Sequence, residues 1–229
     1  MKKQVAVIGL GRLGISLATT LYSLGHDVLA LDKDEKNVQD IAPQVTRAVL
    51  ADATSETALR ELGIGNFDIA IVTTSEIESS VLTVILLKKL GIGYIIARAD
   101  NALHGSILQK IGADKVVYPE HEMGVMMAHV LTLGDVIDYI PLTAEYGAEY
   151  GVVRMTAPAY FIGETLSALG FGSKGKWEVV VLLIQRKKEI IVTPSDTETV
   201  KSGDALIVAG NWDKLDALFT QVQKTKTKQ

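Results

Sequence analysis

Short apolar runs alternate with amphipathic stretches through the first half of the chain. The runs have the length of buried strands, and the stretches between them repeat their apolar residues at helical spacing. The runs predict strands over residues 4–9, 27–32, 47–50, 69–73, 94–97 and 115–117. The stretches predict helices over residues 13–24, 35–41, 56–62, 77–90 and 103–111. This alternation predicts an α/β fold class, with a Rossmann-like, doubly wound parallel sheet and helices on both faces.

Glycine and serine residues mark the ends of several predicted helices. Ser55 and Ser75 stand at positions typical of helix N-caps. Four glycines follow predicted helices, where a left-handed C-terminal residue belongs: Gly25, Gly63, Gly91 and Gly112.

The alternation ends near Pro119. Residues 119–131 predict a helix with proline in its first turn and two acids, Glu120 and Glu122, at its positive end. Its methionines and valines form an apolar surface, which indicates a helix that packs on a partner or a second domain; an ordinary core helix is the alternative. Residues 135–141 predict a further short helix or strand.

The remainder of the chain places strands in succession. Residues 151–156, 177–185, 189–193 and 205–209 predict strands, and residues 163–169 and 212–222 predict helices. The polar run Arg186-Lys187-Lys188 predicts a turn, and hence a hairpin over residues 177–193. We therefore expect a small α+β C-terminal lobe after the helix over 119–131. The predicted division is an N-terminal domain over 1–118, interface helices over 119–141 and a C-terminal domain over 142–229.

A glycine-rich turn follows the first predicted strand. Gly9, Gly11 and Gly14 have the spacing G-x-G-x-x-G, and Asp32 ends the second predicted strand. Glycines permit the sharp turn and the close approach of a ligand, and free N–H groups at the start of the next helix bind phosphates. Asp32 would accept hydrogen bonds from ribose hydroxyls. The pattern predicts an adenine-nucleotide site; a turn that only packs a helix on a sheet is the alternative.

Arg12 is unusual inside such a turn, where a dinucleotide site usually has a small or neutral residue. Its guanidinium could bind a terminal phosphate through two hydrogen bonds, which favours ATP or ADP as the ligand. An ion pair with a nearby carboxylate is the alternative role for Arg12.

Further ligand contacts are expected at the carboxyl ends of the other strands, because ligands of open parallel sheets bind there. Asp52 and Ala53 would meet the adenine edge, and Thr73 and Thr74 would lie near ribose or phosphate. Arg98 is a second candidate phosphate contact, with an ion pair to Asp100 or another carboxylate as its alternative. The predicted cofactor-binding residues are Gly9, Gly11, Arg12, Leu13, Gly14, Asp32, Lys33, Asp52, Ala53, Thr54, Thr73, Thr74 and Arg98.

Two carboxylates follow the sixth predicted strand. Glu120 and Glu122 could coordinate Mg²⁺ or Ca²⁺ beside a triphosphate. Acids that only stabilise the start of a helix are the alternative.

Composition narrows the classes of function. The net charge of −4 gives no electrostatic reason to expect a nucleic-acid partner, and the absence of cysteine excludes disulfides and thiolate chemistry. No apolar run reaches the ~20 residues that a membrane span needs, so we expect a cytoplasmic protein. All 4 histidines lie before residue 130, which leaves the C-terminal lobe without an evident catalytic base for a dehydrogenase. A nucleotide sensor that catalyses no reaction is therefore favoured over an enzyme.

Several segments resemble the cytosolic potassium-transport regulators of the Ktr/Trk type, also called RCK proteins. The matching segments are residues 6–14, 25–32, 51–54, 86–91, 111–120 and 122–124. The resemblance implies an RCK N-terminal domain and an RCK C-terminal domain. It also implies homodimers that assemble into an octameric ring, docked on a membrane potassium channel or transporter subunit at the inner face of the cell membrane.

The same resemblance implies roles for individual residues. Nucleotide would bind between paired N-terminal domains and gate ion flow, with ATP favouring the active form and ADP the inactive one. Arg12 would contact the terminal phosphate across the dimer, and Glu120 would take part in binding a divalent cation. The helix over 119–131 would pair with the neighbouring subunit.

Departures from the family pattern leave alternatives open. Leu13 stands where Phe is frequent, and residues 73–75 replace a smaller Ala/Gly-rich turn. Asp52 resembles the acidic position of some Trk-type relatives, which leaves an NAD(H)-sensing regulator as the alternative to an ATP/ADP sensor. A small NAD-dependent oxidoreductase is the less favoured alternative. In some relatives the C-terminal lobe binds cyclic di-AMP, but no motif of this chain establishes such a site.

Overall fold

The computed structural model describes residues 1–132, 136–143 and 149–226. The chain divides into two compact units, Met1–Glu120 and His121–Gln229. Their boundary lies close to the predicted end of the N-terminal domain, and the predicted three-part division stays a prediction. Within the described ranges, no helix combines the length and the apolar character that a membrane span requires.

A parallel sheet of six strands forms the first unit, in the order β3-β2-β1-β4-β5-β6. The strands are β1 (Gln4–Ile8), β2 (Asp27–Asp32), β3 (Arg47–Leu50), β4 (Ile69–Val72), β5 (Ile95–Arg98) and β6 (Lys115–Val117). The helices are α1 (Arg12–Ser23), α2 (Glu35–Ile41), α3 (Glu56–Glu61), α4 (Ile77–Lys89) and α5 (Ala102–Lys110). The strand order changes direction between β1 and β4, which is where doubly wound sheets bind their ligands. The predicted Rossmann-like fold is confirmed.

Neighbouring residues of β1 pack into opposite cores. Val5 and Val7 belong to the hydrophobic cluster on one face of the sheet, whereas Ala6 and Ile8 belong to the cluster on the other face. Successive side chains of a strand point to opposite faces. Because both faces are buried, the central strands are apolar throughout, and continuous apolar runs could therefore locate them.

An antiparallel sheet of five strands forms the second unit, in the order β10-β9-β11-β8-β7. Helix α6 (Pro119–Thr132) starts at the boundary between the units. The later elements are β7 (Val136–Thr143), β8 (Glu149–Thr156), β9 (Val180–Arg186), β10 (Glu189–Val192), β11 (Ala205–Asn211) and α7 (Trp212–Lys226). Leu215 and Phe219 of α7 are buried in one cluster with Val153 and Leu206 of the sheet. The predicted α+β lobe is confirmed, and the element predicted over 135–141 is a strand whose position 135 lies outside the described residues.

The predicted helix over residues 163–169 is wrong. These residues form turns, because three of their N–H groups bond to the loop over residues 196–200, whereas the Leu169 N–H makes a helical bond to the Thr165 carbonyl. Leu166 donates to the Glu198 carbonyl at 3.0 Å, and Ser167 donates to the Asp196 carbonyl at 2.9 Å.

The predicted helix ends are confirmed except at one cap. Gly25, Gly63, Gly91 and Gly112 have φ values of 87°, 68°, 85° and 113°. Ser55 caps α3 by accepting a hydrogen bond from the Ala58 N–H at 3.3 Å. Ser75 was predicted to cap α4, but Glu76 occupies that position and makes no side-chain cap bond. The predicted hairpin is also present, but β9 starts at Val180 and includes Arg186, so the turn predicted over Arg186-Lys187-Lys188 is formed by Lys187 and Lys188.

Candidate functional site

The glycine turn between β1 and α1 has a conformation that two of its positions can adopt only as glycine. Gly9 has a φ of 95°, and a Cβ on it would lie 2.8 Å from the Thr74 backbone nitrogen. A Cβ on Gly14 would collide with the Gly9 carbonyl oxygen. The fold itself therefore requires glycine at both positions. Gly11 differs, because a Cβ there would meet no described atom within 4 Å and would face open space.

One peptide group of the turn, between Gly9 and Leu10, is held from both neighbouring strands. The Thr73 hydroxyl, directly after β4, donates to the Gly9 carbonyl oxygen at 2.6 Å. The Asp32 carboxylate, at the end of β2, accepts a hydrogen bond from the Leu10 N–H. Its other oxygen accepts from the Asp34 N–H at 2.8 Å. Two residues predicted to contact the ligand thus also shape the turn.

The first turn of α1 leaves its N–H groups open toward a ligand. Gly11 is the N-cap and makes no side-chain cap bond, and no acidic residue lies in the first turn. Arg12 is exposed and forms no ion pair within the described part of the chain. Leu13 is half-buried in the same turn. The open N–H groups, the helix dipole and the guanidinium together suit phosphate oxygens.

A cleft opens beside this turn, at the carboxyl ends of β1 to β4. Its empty space, which includes open solvent, is about 400 Å³. The predicted residues that line it are Gly9, Asp32, Lys33, Asp52, Ala53, Thr54 and Thr74. Ser79 and Thr83 of α4, which were not predicted, also line it. They lie on one face of the helix because they are four residues apart. Polar residues at that spacing in an otherwise apolar helix are the feature of the sequence that could have identified them as cleft residues.

The side of the cleft formed by β2 and β3 is acidic. Asp52 accepts hydrogen bonds from the Thr54 N–H at 2.9 Å and from its hydroxyl at 2.7 Å, and both lower the pKa of Asp52. Lys33 pairs with Glu76 at 3.1 Å, which raises the pKa of Lys33 and lowers that of Glu76. Asp32 is a further carboxylate close to Lys33. This side suits hydroxyl groups, which can donate to carboxylates, better than another phosphate.

Arg98 and Glu120 pair with each other at the opposite edge of the sheet. Arg98 Nη2 lies 2.9 Å from a carboxylate oxygen of Glu120 and 2.9 Å from one of Asp100. Hydrogen bonding from Arg98 lowers the pKa of Glu120. The alternative role for Arg98, an ion pair, is therefore present in the structure, and its contact with phosphate stays a prediction.

Glu120 does not form a metal centre with its described neighbours. In the part of the chain that the structure describes, no three His, Cys, Asp or Glu side chains are grouped to hold a metal ion. The Glu120 side chain is 66% exposed, and Arg98 engages its carboxylate. These residues do not fit a complete Mg²⁺ or Ca²⁺ site, so Glu120 as a cation ligand stays a prediction.

Comparisons with known proteins match both units. The TrkA-N domain matches residues 5–119, and the TrkA-C domain matches residues 152–223. The chain is 39% identical to Ktr system potassium uptake protein C of Bacillus subtilis, over 99% of this chain and 100% of that protein. The chain belongs to the Ktr/Trk family of potassium uptake proteins. Another Ktr/Trk member, Ktr system potassium uptake protein A of Vibrio alginolyticus, is 33% identical over 93% of this chain and 94% of that protein.

Solved structures share the fold of this Ktr/Trk family member. The GsuK channel bound to NAD matches with a TM-score of 0.52 at 21% identity, over 97% of this chain. The chain spans 39% of the length of that channel. The TrkA-N domain of the inner membrane protein ybaL from Escherichia coli matches with a TM-score of 0.52 at 22% identity, over 57% of this chain and 98% of that domain.

Proposed function

We propose that this chain is a regulatory subunit of a potassium uptake system and senses adenine nucleotides. The glycine turn carries the proposal: its Gly9–Leu10 peptide is held in place, the N-terminus of α1 is uncapped, and the exposed Arg12 stands beside it. These groups make a preformed anion site at the mouth of a cleft. The Bacillus subtilis and Vibrio relatives are named as potassium uptake proteins, which supports the role in transport.

The proposed pose places the phosphates at α1 and the adenosine in the cleft. Phosphate oxygens accept hydrogen bonds from the open N–H groups of α1, and the ribose hydroxyls donate to Asp32. The adenine lies against Ala53 and near Asp52. A phosphate on the ribose 2′-hydroxyl would meet Asp32 and Asp52, so we expect nucleotides without one to be preferred.

Arg12 discriminates ATP from ADP in this proposal. Its guanidinium holds the terminal phosphate, in its own subunit or across a dimer, and ATP favours the active form whereas ADP favours the inactive one. The nucleotide acts by binding two conformations with different affinity, so no catalytic residue is needed.

An NAD(H)-sensing regulator is the second candidate function. Asp32 and Asp52 favour it, because the hydroxyl groups of an NAD ribose could donate hydrogen bonds to the same carboxylates. The GsuK channel bound to NAD has the same fold. A small NAD-dependent oxidoreductase is disfavoured by the relatives, which are named for potassium uptake.

The proposal extends to assembly. Homodimers would form an octameric ring that docks on a membrane potassium channel or transporter subunit, at the cytoplasmic face of the membrane. An outer stripe of α6, formed by Met123, Met127 and Leu131, supports pairing through this helix, because these side chains are 51%, 52% and 79% exposed. Cyclic di-AMP as a ligand of the C-terminal unit stays a prediction.

Potassium flux tests the proposed function. The chain is combined in liposomes with the membrane subunit of a Ktr system, and flux is measured with ATP, with ADP and without nucleotide. We expect higher flux with ATP than with ADP. Gly11→Ala should abolish this difference, because its methyl group would enter the space where phosphates approach, whereas no described atom opposes it in the fold.

Gly93→Ala is the matched control for this experiment. A Cβ on Gly93 would meet only the Asp68 carbonyl oxygen, at 3.6 Å, which is an ordinary contact far from the glycine turn. We expect this variant to keep the response to ATP. Flux that is the same with ATP, with ADP and without nucleotide would contradict the proposed function.

A further inference from the structure

The Gly9–Leu10 peptide is one planar group, and both of its polar atoms are engaged. Thr73 Oγ1 donates to the carbonyl oxygen at 2.6 Å, and Asp32 accepts from the N–H. Turning the plane of this peptide would break both hydrogen bonds together. Gly11, the N-cap of α1, follows at once in the chain. A change in the orientation of this peptide would therefore shift the chain where it enters α1, and with it the first N–H groups of that helix.

The Thr73 side chain is packed inside the protein and does not line the cleft. Thr73 is only 6% exposed, and its backbone N–H donates to the Ile8 carbonyl at 2.8 Å. Its Oγ1 would lie 2.8 Å from a Cβ on Gly14, so it sits between the end of β1 and the first turn of α1. A hydroxyl has one proton to donate. The shorter of its two contacts, 2.6 Å against 3.2 Å, directs that proton to the Gly9 carbonyl.

We infer that Thr73 is a positioning residue for phosphate binding, which acts through the Gly9–Leu10 peptide and does not touch the nucleotide. The inference rests on the proposed nucleotide function. Asp32 holds the other end of the same peptide, but its carboxylate is also the group that receives the ribose hydroxyls. Thr73 is thus the dedicated support of the turn, which a bound ligand leaves in place.

Two substitutions at this position separate the hydroxyl from the methyl group. Thr73→Val removes the hydroxyl and keeps the volume, whereas Thr73→Ser keeps the hydroxyl and removes the methyl group. Dissociation constants of ATP and of adenosine are measured with the full chain. We expect Thr73→Val to raise the dissociation constant of ATP on the order of tenfold and Thr73→Ser to raise it less than about twofold. Adenosine, which has no phosphate, should change less than about twofold with either variant.

Thr46→Val is the matched control, because it removes a hydroxyl bonded to the backbone elsewhere in the same sheet. Thr46 Oγ1 accepts from the Val28 N–H at 2.9 Å, at the amino end of β2. This variant should bind ATP like the wild type.

Three results with the variants would overturn the inference. They are unchanged ATP affinity in Thr73→Val, equal losses for ATP and adenosine, and a loss caused by Thr73→Ser but not by Thr73→Val, which would assign the effect to packing. Failure of the proposed function can be distinguished from these results, because the wild type itself would then bind no ATP. The inference about Thr73 would then fail as well.

Discussion

At the scale of single residues, positive charge lies at the start of α1 and negative charge lies in the neighbouring cleft. Arg12 is exposed in the first turn of α1, outside the residues that line the cleft, whereas Asp32 and Asp52 line its side formed by β2 and β3, where Lys33 pairs with Glu76. A ligand with phosphates at one end and a ribose diol at the other is complementary to this arrangement.

Arg12→Ala should weaken the binding of ATP more than the binding of ADP. If the guanidinium holds the terminal phosphate, its loss removes a charge-assisted hydrogen bond from ATP alone, and we expect ATP to bind roughly ten- to a hundredfold more weakly. Calorimetric titration of both nucleotides measures the difference. Arg47→Ala is the matched control, because Arg47 is an exposed arginine at the amino end of β3. Equal losses for ATP and ADP would remove the assigned role of Arg12.

Much of the cleft could be predicted from the sequence, because a parallel sheet brings the ends of its strands together. Asp32, Asp52 and Thr54 follow from that rule. Glu76 could not be predicted, since it lies at the start of α4 and its pairing with Lys33 depends on how that helix packs. The contact from Thr73 to the Gly9 carbonyl could not be predicted either, because it joins residues 64 positions apart.

At the scale of elements, a half-buried arginine joins β9 to the loop before β11 through hydrogen bonds. Arg186 donates to Asp204 through Nε at 2.9 Å and through Nη2 at 2.8 Å, and to Glu198 at 3.0 Å. Asp204 is fully buried. Burial alone would raise the pKa of Asp204, but hydrogen bonds from Arg186 and from the Lys201 N–H lower it below its ordinary value. The pair is therefore charged at neutral pH.

Arg186→Met should destabilise the protein by about 3–5 kcal/mol at neutral pH, because it leaves the Asp204 carboxylate buried without its partner. Urea unfolding measures the loss. Because the pKa of Asp204 in the folded protein lies below the ordinary Asp value of 3.8, its ionised carboxylate stabilises the fold at pH values above 3.8. This stabilisation is lost as the pH falls through the lowered pKa. The unpaired carboxyl of the variant takes up a proton more readily, so the difference from wild type should narrow as pH falls.

Lys214→Met is the control for that stability measurement. Lys214 pairs with Glu178 at 3.2 Å, but the two side chains are 44% and 59% exposed. An exposed pair of this kind contributes less than about 1 kcal/mol. Equal losses in the two variants would contradict the role assigned to burial at Asp204.

The sequence predicted an element correctly where the apolar pattern of the segment itself determines its structure. It did not where hydrogen bonds to a distant segment determine it. The central strands of the first unit are apolar on both faces, so runs such as residues 27–32 identified them. Residues 163–169 have a helical pattern of apolar positions, but Leu166 bonds to the loop at Glu198. The apolar pattern of a segment contains no information about a hydrogen-bond partner that lies so far away in the chain.

At the scale of the whole molecule, α6 has two apolar sides. Met126 and Val130 pack on the core of the second unit, whereas the outer stripe of Met123, Met127 and Leu131 is exposed. Residues four positions apart lie on one side of a helix, so the three side chains form a continuous surface. This surface is the proposed contact between subunits.

Met127→Lys should reduce the assembled mass of the protein, because it places a charge in the centre of the proposed contact. Size-exclusion chromatography with light scattering measures that mass. Leu103→Lys is the matched control, since Leu103 is 72% exposed on α5 in the first unit. An unchanged mass in Met127→Lys would assign the contact between subunits to another surface.

The most direct test of the central claim is a calorimetric titration of the chain with ATP, ADP, NAD⁺ and NADH, each with and without a divalent cation. We expect ATP and ADP to bind more tightly than either form of NAD, and Gly11→Ala to weaken both. A preference for NADH would contradict the role given to Arg12 and favour the NAD(H)-sensing regulator. Absence of binding by all four nucleotides would contradict the account of the cleft itself.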